Sequence, residues 1–187
     1  MTDLQSFLRP LYQDLDGVSR FDDVERIPAI ARRLYAPVDD RSFELLLLFH
    51  GLGRWLEKVG NLSRAVLTTG LSESDLRATA ASIRRLDDPS TDAERAVAAA
   101  LLIDRAGVRG FAERLSRSRR EGSSVQDVVR NALAETVVPD WVPANAREWL
   151  IKRHEDRREV CRRILAELAL EDFHAEARGR GERLETP

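Results

Sequence analysis

The chain has 187 residues, 43% of them hydrophobic and 33% charged, with 30 basic residues against 32 acidic ones. That length suits a compact domain with a proper core, and the near-balance of charge argues against bulk electrostatic binding of DNA or RNA. A single cysteine, Cys161, excludes an internal disulfide framework and cysteine-based zinc clusters.

Glycine and proline are sparse, at 10 and 7, and the apolar spacing is helical nearly throughout, so the expected fold class is all-α. A first helix is predicted over 4–15, with Pro10 kinking it or starting a second piece. The next, 22–35, lines Val24, Ile27, Ile30, Ala31 and Leu34 on one face and ends before Ala36-Pro37. A third opens at Asp39 or Asp40, and its run Leu45-Leu46-Leu47-Leu48-Phe49 marks the most buried helix of the fold. Gly51 and Gly53 interrupt or end it, and a short helix over 62–69 stops at Gly70. Ser72-Glu73-Ser74-Asp75 reads as the N-terminal cap of a helix reaching Leu86, which Asp87-Asp88-Pro89 breaks. Thr91 or Asp92 starts an alanine-rich helix through 104 that must pack closely on a neighbour. Gly107 and Gly110 puncture the segment after it. Further helices are predicted over 111–120, 124–135 and 144–172, the last long and charged on its outer face. Residues 1–174 are expected to form a single domain and 175–187, with little to bury, a disordered tail.

The N-terminus has no basic segment followed by an apolar one, so it does not read as a secretory signal. The longest apolar run, 45–49, is far short of the roughly 20 residues that span a bilayer. A soluble cytoplasmic protein with no membrane partner is expected.

Four stretches carry a family resemblance. They are Ser19-Arg20-Phe21-Asp22-Asp23-Val24-Glu25-Arg26-Ile27, Leu47-Leu48-Phe49-His50-Gly51-Leu52-Gly53-Arg54, Leu102-Ile103-Asp104-Arg105-Ala106-Gly107-Val108-Arg109-Gly110-Phe111-Ala112, and 146–155 with 165–168. In this order and at this spacing they resemble the HD superfamily of metal-dependent phosphohydrolases, over roughly residues 18–172. The resemblance implies an HD-like helical bundle with a long C-terminal helix around a metal pocket. The departures from the family pattern fall on the ligands. The histidine before Val-Glu-Arg is replaced by Asp23, the His-Asp pair reads His50-Gly51, and the later aspartate falls on Leu101. Extra histidines of second-metal members fall on Asn61 and Leu86.

Stable divalent binding needs three or four converging protein donors, and without the ion no acidified water attacks phosphorus. The expectation is therefore an HD-fold protein that has lost its metal centre and carries no cofactor. Its former active-site cavity, near Asp23, Arg26, His50, Gly51, Leu101 and Asp104, would bind a small, partly apolar molecule. It could instead support metal-independent chemistry, such as a rearrangement or cyclisation in secondary metabolism, with His50 and Asp23 as acid and base. Gly51 should make that cavity roomier at one wall and Leu101 greasier at another. Two alternatives stand beside this reading: a phosphohydrolase with a rewired ligand set (Asp22, Asp23, His50 and Asp104), and a non-catalytic regulatory or interaction protein. The expected partner is a small-molecule ligand or substrate rather than nucleic acid, with a homodimer left open.

Plainer readings attach to the same residues. His50 reads as a core histidine hydrogen-bonded to a helix carbonyl, and Asp22 and Asp23 as carboxylates favoured at a helix N-terminus. Arg26 can pair with a carboxylate such as Asp104. The run Ser116-Arg117-Ser118-Arg119-Arg120 reads as a solvated helix end, and 153–163 as an exposed face of mixed charge. Trp141, Trp149 and Phe173 are read as anchors of the last helix, His154 and His174 as surface residues. Cys161 has no companion histidine motif and does not read as a nucleophile.

Overall fold

A computed structural model describes residues 4–14, 21–36, 40–135 and 137–179, without the side chains of 5, 13–14, 21–24 and 170–179. Among the described residues the fold is all-α, ten α-helices with no strand. In chain order these are α1 (Leu4–Asp14), α2 (Phe21–Leu34), α3 (Arg41–Phe49), α4 (Gly53–Leu56) and α5 (Asn61–Thr69), then α6 (Glu73–Arg84), α7 (Asp92–Ala106), α8 (Val108–Arg120), α9 (Val125–Ala134) and α10 (Ala144–Gly179). A single 3-10 turn, Arg85–Asp87, follows α6.

Local chemistry sets the helix starts. The Asp40 carboxylate accepts from the Phe43 amide at 3.0 Å, and the Ser72 and Ser124 hydroxyls accept from the Asp75 and Asp127 amides, each at 3.1 Å. Each such cap satisfies an amide that the helix cannot, and is worth about 1 kcal/mol. At α7 the cap is reciprocal: the Thr91 hydroxyl accepts from the Glu94 amide at 3.2 Å, and the Glu94 carboxylate accepts from the Thr91 amide at 3.2 Å.

Two boundaries differ from expectation. Helix α8 opens at Val108 and takes in Gly110, which therefore does not break it. A Cβ at Gly110 would collide with the backbone carbonyl of Arg105, so only glycine lets the chain return so closely on the end of α7. Helix α10 continues to Gly179, past 172. Residues 180–187 of the expected tail lie outside the described ones, as does the side chain of Phe173.

The helices group into two compact units, one of Met1–Asp104 with Pro139–Trp149, the other of Arg105–Val138 with Leu150–Pro187. In the first, α3 is apolar on all sides from Leu45 to Phe49 and feeds two clusters. Leu45 and Phe49 join Leu8, Tyr12, Leu52, Leu56, Ala65, Leu76 and Ala80, while Phe43, Leu46 and Leu47 join Ile27, Ala31, Ala96, Val97 and Ala100. A stretch without a polar face is held by burial, which contributes about 1.5–3 kcal/mol for each such leucine or phenylalanine. Helix α6 packs on α3, α4 and α5, and Ala96, Val97 and Ala100 of α7 are buried with Ile27, Ala31, Phe43, Leu46 and Leu47. The segment 139–149 is tied in by Asn145, whose side-chain amide donates to the Leu34 carbonyl at 3.2 Å, and by Arg33, whose guanidinium lies 6.0 Å from the Trp149 ring centre.

The second unit has its own core. Phe111 of α8, Val128, Val129 and Ala132 of α9 and Cys161 of α10 are buried together, with Leu115, Val125, Leu133, Val160, Ile164 and Leu165 around them. Among the described residues no helix is long and apolar enough to cross a membrane.

Candidate functional site

His50 closes α3 and is nearly buried, at 9% exposure. Its Nδ1 lies 2.8 Å from the Leu47 carbonyl oxygen, which can only accept, so Nδ1 carries a proton. This is the core-histidine arrangement.

Gly51 is explained by Tyr12. A Cβ at Gly51 would stand 2.7 Å from the Tyr12 Cε1, so the space a side chain would take is filled by the ring of α1. The Tyr12 hydroxyl donates to the Leu48 carbonyl at 2.8 Å and accepts from the Gly51 amide at 3.3 Å. Burial raises the pKa of this phenol well above its ordinary value, which fixes it as a neutral donor. The Tyr12 and His50 ring centres are 5.9 Å apart. The expected roomier wall at Gly51 is thus corrected: the glycine makes room for an aromatic ring, not for a ligand.

Arg26 of α2 and Asp104 of α7 form a two-pronged pair, Nε to Oδ1 at 3.0 Å and Nη2 to Oδ2 at 3.4 Å. Both carboxylate oxygens of Asp104 therefore face a guanidinium. Leu101, one turn earlier on α7, packs against the cluster of Ile27, Ala31, Phe43, Leu46 and Leu47. The side chains of Asp22 and Asp23 lie outside the described residues. Among the described residues, no group of three or more His, Cys, Asp or Glu side chains could hold a metal ion.

A different part of the first unit carries a groove of about 560 Å³, between the α4–α5 turn and α6. Its apolar lining comes from Leu56, Val59, Leu62 and Ala80, and its charged lining from Glu57, Lys58, Glu73, Arg77 and Arg84. Two of the cations are already paired, Arg77 with Glu73 and Arg84 with Glu57 at 3.2 Å. Lys58 has no ion-pair partner among the described residues. None of Arg26, His50, Gly51, Leu101 and Asp104 lines this groove. The sequence reading missed it because its walls come from three segments with no shared motif.

Two buried charges were also missed. Glu94 is 2% exposed and accepts five hydrogen bonds: from Arg85 Nε and Nη2 (3.0 and 2.5 Å), the Ser90 amide and hydroxyl (both 2.9 Å) and the Thr91 amide (3.2 Å). Burial pushes its pKa up, but the bonds from Arg85 and Ser90 outweigh that and hold it down to about 2.

Arg157, expected on the exposed mixed-charge face, is 1% exposed, and His154, expected on the surface, is 8% exposed. They are drawn inward because Leu150, His154, Arg157 and Cys161 share one stripe of α10, every one of them buried. Burial raises the pKa of the Cys161 thiol, which disfavours the reactive thiolate. The run 116–120 does face solvent for the most part, as a helix end should.

Compared with protein-family models, with curated proteins and with solved structures, the chain matches none, so the HD resemblance rests on its own quoted residues.

Proposed function

We propose that this chain is a non-catalytic binding protein on a helical frame of the HD kind, and that it takes a small, partly apolar anion in the groove over α4, α5 and α6. The observation that carries the reading is the groove itself. It combines an apolar floor with one cation, Lys58, that no carboxylate pairs among the described residues, the combination of concavity and few oriented polar groups that ligand sites use. The absence of catalysis is supported by what the old site's groups already do. Nδ1 of His50 is engaged by a helix carbonyl, Asp104 by Arg26, and the space beside Gly51 is taken by Tyr12. The frame is supported by the Arg26–Asp104 pair, which joins two of the four stretches that carry the resemblance.

The test uses anilinonaphthalene sulfonate, a probe with apolar rings and one negative charge. The full chain should bind one equivalent with an increase in fluorescence. Lys58→Glu should weaken binding at least fivefold by reversing the charge, and Ser63→Trp should do the same by filling the exposed rim. Binding that ignores both substitutions, or no binding at all, overturns the assignment.

A further inference from the structure

The second unit holds an arrangement that the groove does not use. Arg157 reaches from α10 to the segment after α9: its Nη2 donates to the Glu135 carbonyl at 2.8 Å, and its Nη1 approaches the Glu135 carboxylate at 3.3 Å. The same Nη2 lies 2.9 Å from Nδ1 of His154, one turn earlier on α10. A guanidinium only donates, so Nδ1 must accept, and the imidazole must be the neutral ring with its proton on Nε2. We infer that this contact is an acid-sensitive latch, in which α10 stays fastened to the Glu135 segment only while His154 is neutral.

Protonation would turn Nδ1 into a donor aimed at another donor and set two cations against each other inside a buried site. Arg157 cannot relieve this by losing its own proton. Nor has it bonds to spare, because its Nε is buried without a hydrogen-bond partner among the described residues. The charged groups around His154 are Arg157 and Arg158 on α10 and Glu135 after α9, itself bonded to Arg114 of α8 at 2.7 Å. Burial and then Arg157 disfavour the imidazolium, Glu135 favours it, and Arg158 opposes it again, leaving the folded pKa below the ordinary 6.5. A depressed folded pKa means that the unfolded chain binds the extra proton more readily. The contribution of His154 is therefore complete above pH 6.5 and is lost as the pH falls through the lower, folded value. Titration of Glu135, held below the usual carboxylate range chiefly by its bond from Arg114, would follow in more acid solution.

The experiment is an NMR titration of the imidazole Cε1–H signals of the full chain, with melting temperatures taken from pH 7.5 to pH 5.0. The His154 signal is assigned by its loss in His154→Gln, whose side-chain oxygen can still accept from Arg157 but cannot gain a charge at these pH values. The His154 ring should titrate below 6.5. The parent should lose at least twice as much melting temperature on acidification as His154→Gln, while His174→Gln should follow the parent. If His154→Gln does not fold, the signal is assigned by elimination with His50→Gln and His174→Gln, and the ring titration decides alone. A His154 that titrates at 6.5 or above overturns the inference, as does an equal loss of melting temperature in parent and His154→Gln.

Discussion

Glu94 in the first unit and Arg157 in the second are withdrawn from water to nearly the same degree, yet they are satisfied very differently. The carboxylate receives five donors, three of them supplied by Ser90 and Thr91 beside it in the chain. The guanidinium has three contacts, one of them on a histidine that must stay neutral, and a buried Nε with none. The difference follows from where the partners come from. A helix start supplies free amides within a few residues, so an acid there is satisfied locally. A base in the middle of a helix finds every nearby carbonyl taken by the helix and must use what neighbouring elements offer. The first arrangement is a fixed structural cap; the second is poised.

The largest expected effect tests the first half of that contrast. Glu94→Ala removes charge-assisted bonds and the reciprocal cap together, and should cost about 2–4 kcal/mol of unfolding free energy at pH 7 by urea denaturation. Because the folded pKa of Glu94, about 2, lies below the ordinary 4.5, its contribution is complete above that range and fades as the pH falls toward 2. The difference between parent and variant should shrink accordingly in acid. A loss under about 0.5 kcal/mol at pH 7 would show that the bonds merely replace hydration.

A side chain inserted where a ring already stands tests the packing of the first unit. Gly51→Asp puts a Cβ against the Tyr12 ring and a carboxylate beside it, and should cost about 1–3 kcal/mol through overpacking alone. A variant as stable as the parent would mean that Tyr12 moves aside freely, and the space beside Gly51 would again be a candidate cavity.

The cap at Ser72, the helix starts at Asp40 and Ser124 and the burial of α3 were legible because they depend on residues adjacent in sequence. The Thr91–Glu94 spacing was equally local and was visible as a capping box, but only the helix start was read from it. Gly110 was misread as a break because its requirement is an approach by the Arg105 backbone, which no composition rule reports. At the candidate site, the Arg26–Asp104 pair was legible as complementary charge, whereas Tyr12 stands 39 positions before Gly51 and nothing in either residue announces the other. His154 and Arg157 were misplaced because polarity was weighed over position. Their spacing between Leu150 and Cys161 is that of a buried stripe, and the stripe prevails.

The under-satisfied base makes a smaller prediction. Arg157→Met fills similar volume without a charge and leaves Glu135 with Arg114, so no uncompensated buried charge remains. The loss should be about 1 kcal/mol at pH 7, clearly less than for Glu94→Ala, because the Glu135 carbonyl and His154 Nδ1 lose a donor while the Glu135 carboxylate, which loses one too, keeps Arg114. A cost above about 3 kcal/mol would place Arg157 with Glu94 as a fixed structural charge and remove the contrast.

The smallest effect belongs to a pair between these extremes. Arg26 and Asp104 keep 29% and 19% side-chain exposure, so water screens them more than the buried charges and less than a surface pair. A double-mutant cycle with Arg26→Met and Asp104→Asn should give a coupling of about 0.5–1 kcal/mol, partly retained at high salt because screening by ions acts mainly on exposed charges. The cycle also bears on the rewired hydrolase, in which Asp104 would serve a metal instead. A carboxylate drawn to a divalent ion would release Arg26, so the coupling measured in millimolar manganese should fall relative to that in EDTA. Here it should be the same in both, since both oxygens of Asp104 already face the guanidinium. A coupling abolished by manganese would return Asp104 to the list of metal ligands and reopen hydrolysis as the function.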